Sequence, residues 1–237
     1  MSFANNPYHG QLGDFAALAA ADERSTFIAK TYAHLAGAIA LFAALEVVML
    51  NSGIAETLTG LMVTRWGWLI MLGLFMLVSM VANNWAVSAV SPGTQYAGLG
   101  LYVFAESIIF APMLFIANQI DPSVIPSAAV TTFALFGGLT VAVFITRKDF
   151  SFLRTFLMFG GFAAMGFIFV AILFQFQLGA IFLYAMIALA CGYILYDTSN
   201  VLHHYRIGQH VAASLALFAS VALLFWYLVQ LFLSRRD

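Results

Sequence analysis

"FLRTFLMFGGFAAMGFIFVAILF", residues 152–174, decides what kind of molecule this is. The run holds one charged side chain, Arg154, and is otherwise almost wholly apolar. As a helix it would rise about 35 Å, enough to cross the roughly 30 Å hydrocarbon core of a bilayer. A membrane strand would alternate apolar and polar positions, and this run does not. Six further segments read the same way, so spans are expected at 32–50, 66–87, 96–117, 128–145, 152–174, 180–196 and 211–233. Between them lie turn signals: "NSG" at Asn51, "SPG" at Ser91, "DPSVIP" at Asp121, "RKD" at Arg147 and "HHYRIGQ" at His203.

The whole chain agrees. Of 237 residues, 63% are hydrophobic and 8% charged, and mean hydropathy is +0.97. A soluble domain is about half apolar and a quarter charged, so this chain cannot cover a water-facing surface. The fold class is an all-α integral membrane protein of seven transmembrane helices. Residues 1–30 are expected to form a polar tail and 31–237 the helical domain. The tail lacks a basic region followed by an apolar stretch, so it does not read as a cleaved signal.

A net charge of −1 gives no footprint for nucleic acid. The single cysteine, Cys191, excludes an internal disulfide and a cysteine metal cluster. No HExxH, GxSxG, Walker loop or Gly-rich dinucleotide turn occurs, so neither catalysis nor a resident cofactor or metal is expected. In a seven-span arrangement Arg24, Lys30, Arg147, Lys148, Arg154 and Arg206 fall on the side of the N-terminus. Arg65, Arg235 and Arg236 fall on the other. The excess predicts a cytoplasmic N-terminus and a C-terminus outside.

Three carboxylates lie within or at the edge of the apolar segments. An acid at mid-bilayer costs about 2.5–3.5 kcal/mol on insertion scales, so it faces the bundle interior, finds a partner or carries a proton. Glu106, near the middle of the third span, reads either as a structural tie or as a pathway or proton-binding residue. Pro112 beyond it removes a backbone donor and predicts a kink. Glu46 lies nearer the outer end of span one, where it would reach the interface in a structural or solvated role. Asp197 is expected to close span six at the cytoplasmic surface. A carboxylate opposes the helix dipole there, which favours a functional reading. Helical spacing sets Tyr193, Asn200 (or Val201) and His204 on its face. His203, His204 and His210 read as solvated loop residues.

"KDFSFLRTFLMFG" (148–160) and "YAMIALACGYILYDTSNVLHHY" (184–205) resemble the signature regions of the Bax inhibitor, or transmembrane Bax inhibitor motif, family. "TYAHLAGAIALFAALE" and "QYAGLGLYVFAESIIFAP" are similar to its bacterial members in spans one and three. The resemblance implies seven helices, placement in a bacterial inner membrane and a slow, pH-sensitive calcium leak, with calcium passing transiently. It implies a latch in which two aspartates, on spans six and seven, share a proton. Asp197 matches the first. The second falls on Ser220, and a later family arginine falls on Gln230. The arginine of span two is absent, leaving Asn83 and Asn84 as polar groups at similar depth. The latch is therefore expected not to work in its usual form. The resemblance also implies an alternative, a non-conducting regulator or accessory subunit that contacts a membrane AAA protease or another membrane complex through its N-terminal tail.

Overall fold

The computed structural model describes residues 15–62, 64–88 and 91–235, apart from the side chain of Arg65. The first fourteen residues of the expected tail lie outside this range. Eight helices follow in order: α1 (Ala21–Asn51), α2 (Ile54–Met62), α3 (Arg65–Ala86), α4 (Pro92–Ile120), α5 (Val124–Thr146), α6 (Leu153–Phe174), α7 (Ala180–His203) and α8 (His210–Leu233). All but α2 are long and apolar enough to cross a membrane. This is a multi-pass membrane protein.

Two helices outrun their expected ends. α1 starts at Ala21, so the last ten residues assigned to the tail are helical, and its 31 residues rise about 46 Å. α7 continues through "DTSNVLH" to His203, because that stretch is buried among neighbouring helices and tertiary packing holds it helical. α2 fills a connection that reads from sequence as an interhelical loop. It folds onto α1, α3 and α4, burying Ala55 and Met62. Pro112 leaves α4 continuous, although it removes the hydrogen bond to the carbonyl of Ile108.

Successive spans alternate in direction. The proximal end of the bundle gathers the start of α1, the α5–α6 link and the α7–α8 loop; the distal end carries α2 and the end of α8. α4 and α8 are the most buried spans and run parallel at the centre. α8 packs on α1, α3, α4, α5 and α7. Between them and α1 lies an aromatic core. Phe110 of α4 stacks on Phe225 at 5.8 Å and meets Trp226 edge-on at 5.0 Å. Phe42 of α1 meets Phe110 at 5.0 Å and Phe218 at 6.0 Å.

α3 and α4 pack in close contact because Gly98 has no side chain. A Cβ there would lie 2.5 Å from the Ala82 carbonyl oxygen and 2.7 Å from the Ala86 nitrogen. The outer faces are the reverse of a soluble protein's: Ile70, Leu77, Phe156, Phe162 and Ile181 are all more than half exposed. Lipid, not water, is the solvent for such a surface.

Candidate functional site

Asp197 lies six residues inside α7 and is buried, which corrects the expectation of an interfacial acid at a helix end. The helix-dipole misfit therefore does not arise. Its partner comes from α8. The Ser220 hydroxyl donates to Asp197 Oδ2 at 2.5 Å, and Ser220 is itself buried. The position where the resemblance expects a second aspartate thus holds a hydroxyl in direct contact with the first. The carboxyl is held by a neutral donor rather than by a second acid.

Tyr193 points elsewhere: its hydroxyl donates to the Leu157 carbonyl at 2.9 Å and ties α7 to α6. Asn200 contributes through its backbone carbonyl, which accepts from the amides of His204 and Tyr205 and closes α7. Asn83 and Asn84 are exposed on α3 and do not enter the bundle interior.

Glu106 is buried at mid-helix on α4. Tyr102, one turn earlier on the same face, packs edge-on against Phe218 at 6.1 Å. Tyr102, Glu106 and Phe110, spaced four apart, form a ridge along α4. Its aromatic members meet Phe218, Phe225 and Trp226 of α8. Ser220 projects from α8 about 200° around from Phe218, at about 100° per residue. Asp197 and Glu106 therefore address opposite faces of the same central helix, and the structure does not bring them into one cluster.

Glu46 corrects its expectation. It is only 4% exposed, and both carboxyl oxygens are buried without a hydrogen-bond partner. α4, α5 and α8 pack around this part of α1, so Glu46 sits inside the bundle rather than at the interface.

At the proximal end the two signature stretches meet. Ser199, two residues after Asp197, accepts from the Phe150 amide at 2.9 Å and lies 3.4 Å from the Lys148 carbonyl. His204 Nε2 meets Asp149 Oδ2 at 3.0 Å. The Ser151 amide, donating to Asp149 at 2.8 Å, holds that carboxyl below the usual carboxylate range, with His204 assisting. His203 bonds the Ser199 carbonyl. On α1, His34 bonds the Lys30 carbonyl at 2.6 Å and the Tyr96 hydroxyl at 3.2 Å, with His210 at 3.5 Å from the same hydroxyl. His204 stays about half exposed while it pairs with Asp149, whereas His203 and His210 are partly buried. The long-range partners, Asp149 for His204 and Tyr96 for His34 and His210, are dozens of residues away, so spacing alone could not find them. Only the polar cluster "RKD" hinted at this contact surface.

The family described as "Inhibitor of apoptosis-promoting Bax1" matches residues 24–237. This chain belongs to the Bax inhibitor family. An uncharacterized Pseudomonas aeruginosa protein is 30% identical over 162 residues, covering 68% of this chain and 69% of its own. Protein LIFEGUARD 4 of Arabidopsis thaliana is 30% identical over 137 residues, 56% of this chain and 55% of its own. Protein LIFEGUARD 2 of the same plant is 30% identical over 136 residues, 55% of this chain and 56% of its own. The matches to the two LIFEGUARD proteins thus span little more than half of each. In this Bax inhibitor family chain, the signature stretches of α6 and α7 are the ones that clasp each other beside Asp197.

Proposed function

We propose that this Bax inhibitor family chain is a passive cation leak, with calcium as its cargo, set in a bacterial inner membrane with the N-terminus in the cytoplasm. The observation that carries this reading is Asp197, a buried carboxyl on α7 held by the Ser220 hydroxyl of the central helix. An acid inside an apolar bundle is costly, and such groups commonly mark ion or proton paths. Glu106 offers a second oxygen site at mid-membrane depth. Dispersed carboxylates bind calcium weakly enough to release it. The aromatic core of Phe42, Phe110 and Phe218 fills the space along α4 and α8, consistent with a closed state and a slow rate. In this reading Ser220 leaves the latch without its second acid. Asp197 then acts as a single acid at the cytoplasmic mouth, and pH sensitivity is reduced, not abolished.

Calcium flux into liposomes carrying purified protein is the test. Glu106→Gln and Asp197→Asn should each lower flux several-fold; rates equal to wild type for both would remove the reading. Reporter fusions at either end would check the orientation.

A second reading is favoured by one contact. The Ala16 amide donates to the Tyr205 carbonyl at 2.8 Å, and the Arg206 guanidinium lies 4.5 Å from the centre of the Phe15 ring. The segment leading into α1 is thus strapped over the α7–α8 loop, next to Asp197's helix. A membrane protease or other partner that pulls on the N-terminal segment would act on that loop, making the chain a regulator and not a conductor. Deleting residues 1–20 should leave flux intact if the chain is a channel, and change its turnover in cells if it is a regulator.

A further inference from the structure

Three side chains from three helices converge at the proximal end. His34 of α1 and His210 of α8 both bring Nε2 to the Tyr96 hydroxyl of α4, at 3.2 Å and 3.5 Å. The two imidazole rings lie 4.9 Å apart, centre to centre, and the His34 ring stacks on Tyr96. Both distances exceed the roughly 2.9 Å of a good hydrogen bond. They match instead the edge of a tetrahedral metal site, where ligand atoms about 2.1 Å from the ion lie about 3.4 Å from one another.

The surroundings favour coordination as well. His34 Nδ1 lies 2.6 Å from the Lys30 carbonyl, which can only accept, so Nδ1 carries the hydrogen and the neutral ring keeps a lone pair on Nε2. A carbonyl behind one ring nitrogen is the usual support of a metal-binding histidine. Lys30 is itself exposed, so its long side chain can keep the ammonium in water. The convergence is reachable from outside the bundle. Tyr96 is 45% exposed, and together with His34 it borders a groove of about 320 Å³ between α1 and α4.

The donor set narrows the ion. Two imidazoles and a phenol oxygen suit a transition metal, whereas calcium takes six to eight oxygens. Near-tetrahedral spacing favours zinc over copper(II), which prefers a square plane. Among the described residues no three His, Cys, Asp or Glu side chains are grouped to hold a metal, so the fourth position falls to water and the site is open and exchangeable. We infer that His34, Tyr96 and His210 form a zinc-binding site that pins α1, α4 and α8 together at the proximal end. Binding displaces the phenol proton to solvent.

The test titrates tag-free, full-length protein in detergent with zinc and, as a spectroscopic probe, with cobalt. One saturable zinc per chain is expected, and bound cobalt should show the intense visible bands of four-coordination. His34→Ala and His210→Ala should each weaken zinc binding at least about tenfold, since losing even a supporting partner costs 10–100-fold. A triple variant, His9→Ala with His203→Ala and His204→Ala, removes every other histidine and should bind as wild type does. No saturable zinc in the wild type would overturn the proposal, and that arm needs no variant. Weak cobalt bands of six-coordination would overturn the tetrahedral site. Unchanged binding in folded His34→Ala or His210→Ala, or lost binding in the folded triple variant, would place zinc elsewhere. Displacement of zinc by equimolar calcium would overturn the choice of ion.

Discussion

Ser220 and Asp197 form the contact on which the functional reading turns. Removing the hydroxyl leaves a buried carboxyl unsatisfied, which costs about 1–3 kcal/mol, more if it is charged. Ser220→Ala should therefore lower the unfolding midpoint in detergent, and an unchanged midpoint would show that the bond adds little. Ser220→Asp places a second carboxyl within reach of the first. Two close carboxyls titrate as a coupled pair, so calcium flux should become more steeply pH-dependent than in wild type. Profiles of equal slope between pH 5.5 and 8 would argue against any latch at this position. The residue alignment was readable in the sequence; the burial of Asp197 was not, since it depends on α7 continuing to His203.

Among the elements, the α3–α4 pair is sensitive to side-chain size. Gly98 lets the two backbones meet, and any larger residue must push against the Ala82 carbonyl, which as backbone cannot rotate away. Gly98→Val should destabilise by at least the 1–3 kcal/mol typical of overpacking, seen as a lowered thermal midpoint, whereas the same change at Gly73, with nothing within 4 Å, should be neutral or slightly stabilising, because valine has the higher helix propensity. The existence of both helices followed from hydropathy. Their closeness did not, because a glycine in an apolar run carries no mark of what faces it. α2 was missed for a related reason: its packing comes from α1, α3 and α4, not from its own nine residues.

For the whole molecule, the proximal end joins the α5–α6 link to α7 through Asp149, Ser151, Ser199 and His204. A carboxyl held below its usual range stabilises the fold above the unfolded value, near 3.9, and the gain is lost as pH falls through the lowered native value. The stability advantage of wild type over Asp149→Asn should therefore be constant on the alkaline side of pH 5 with respect to this carboxyl, and shrink as pH falls below the unfolded value. Thermal unfolding of both proteins across that range measures it. A gap that does not shrink at all as pH falls below the unfolded value would exclude the carboxylate as its source.

What the sequence determined by itself was the solvent and the number of crossings. Both follow from local quantities, an apolar run of about twenty residues and the absence of charge, and need no knowledge of neighbours. The family signature around Asp197 was equally legible, since it is a string of adjacent letters. Only the tertiary structure decided where the acids point. Asp197 meets Ser220, Glu106 lies on the ridge of α4 that faces the aromatic side of α8, and Glu46 is buried without a hydrogen-bond partner. A helical side chain's environment is set by which helix packs against its face, and that choice joins residues far apart in the chain. Glu46 shows the difference most sharply: one residue in an apolar helix, read as interfacial from its position and found buried without a partner because four helices converge around it.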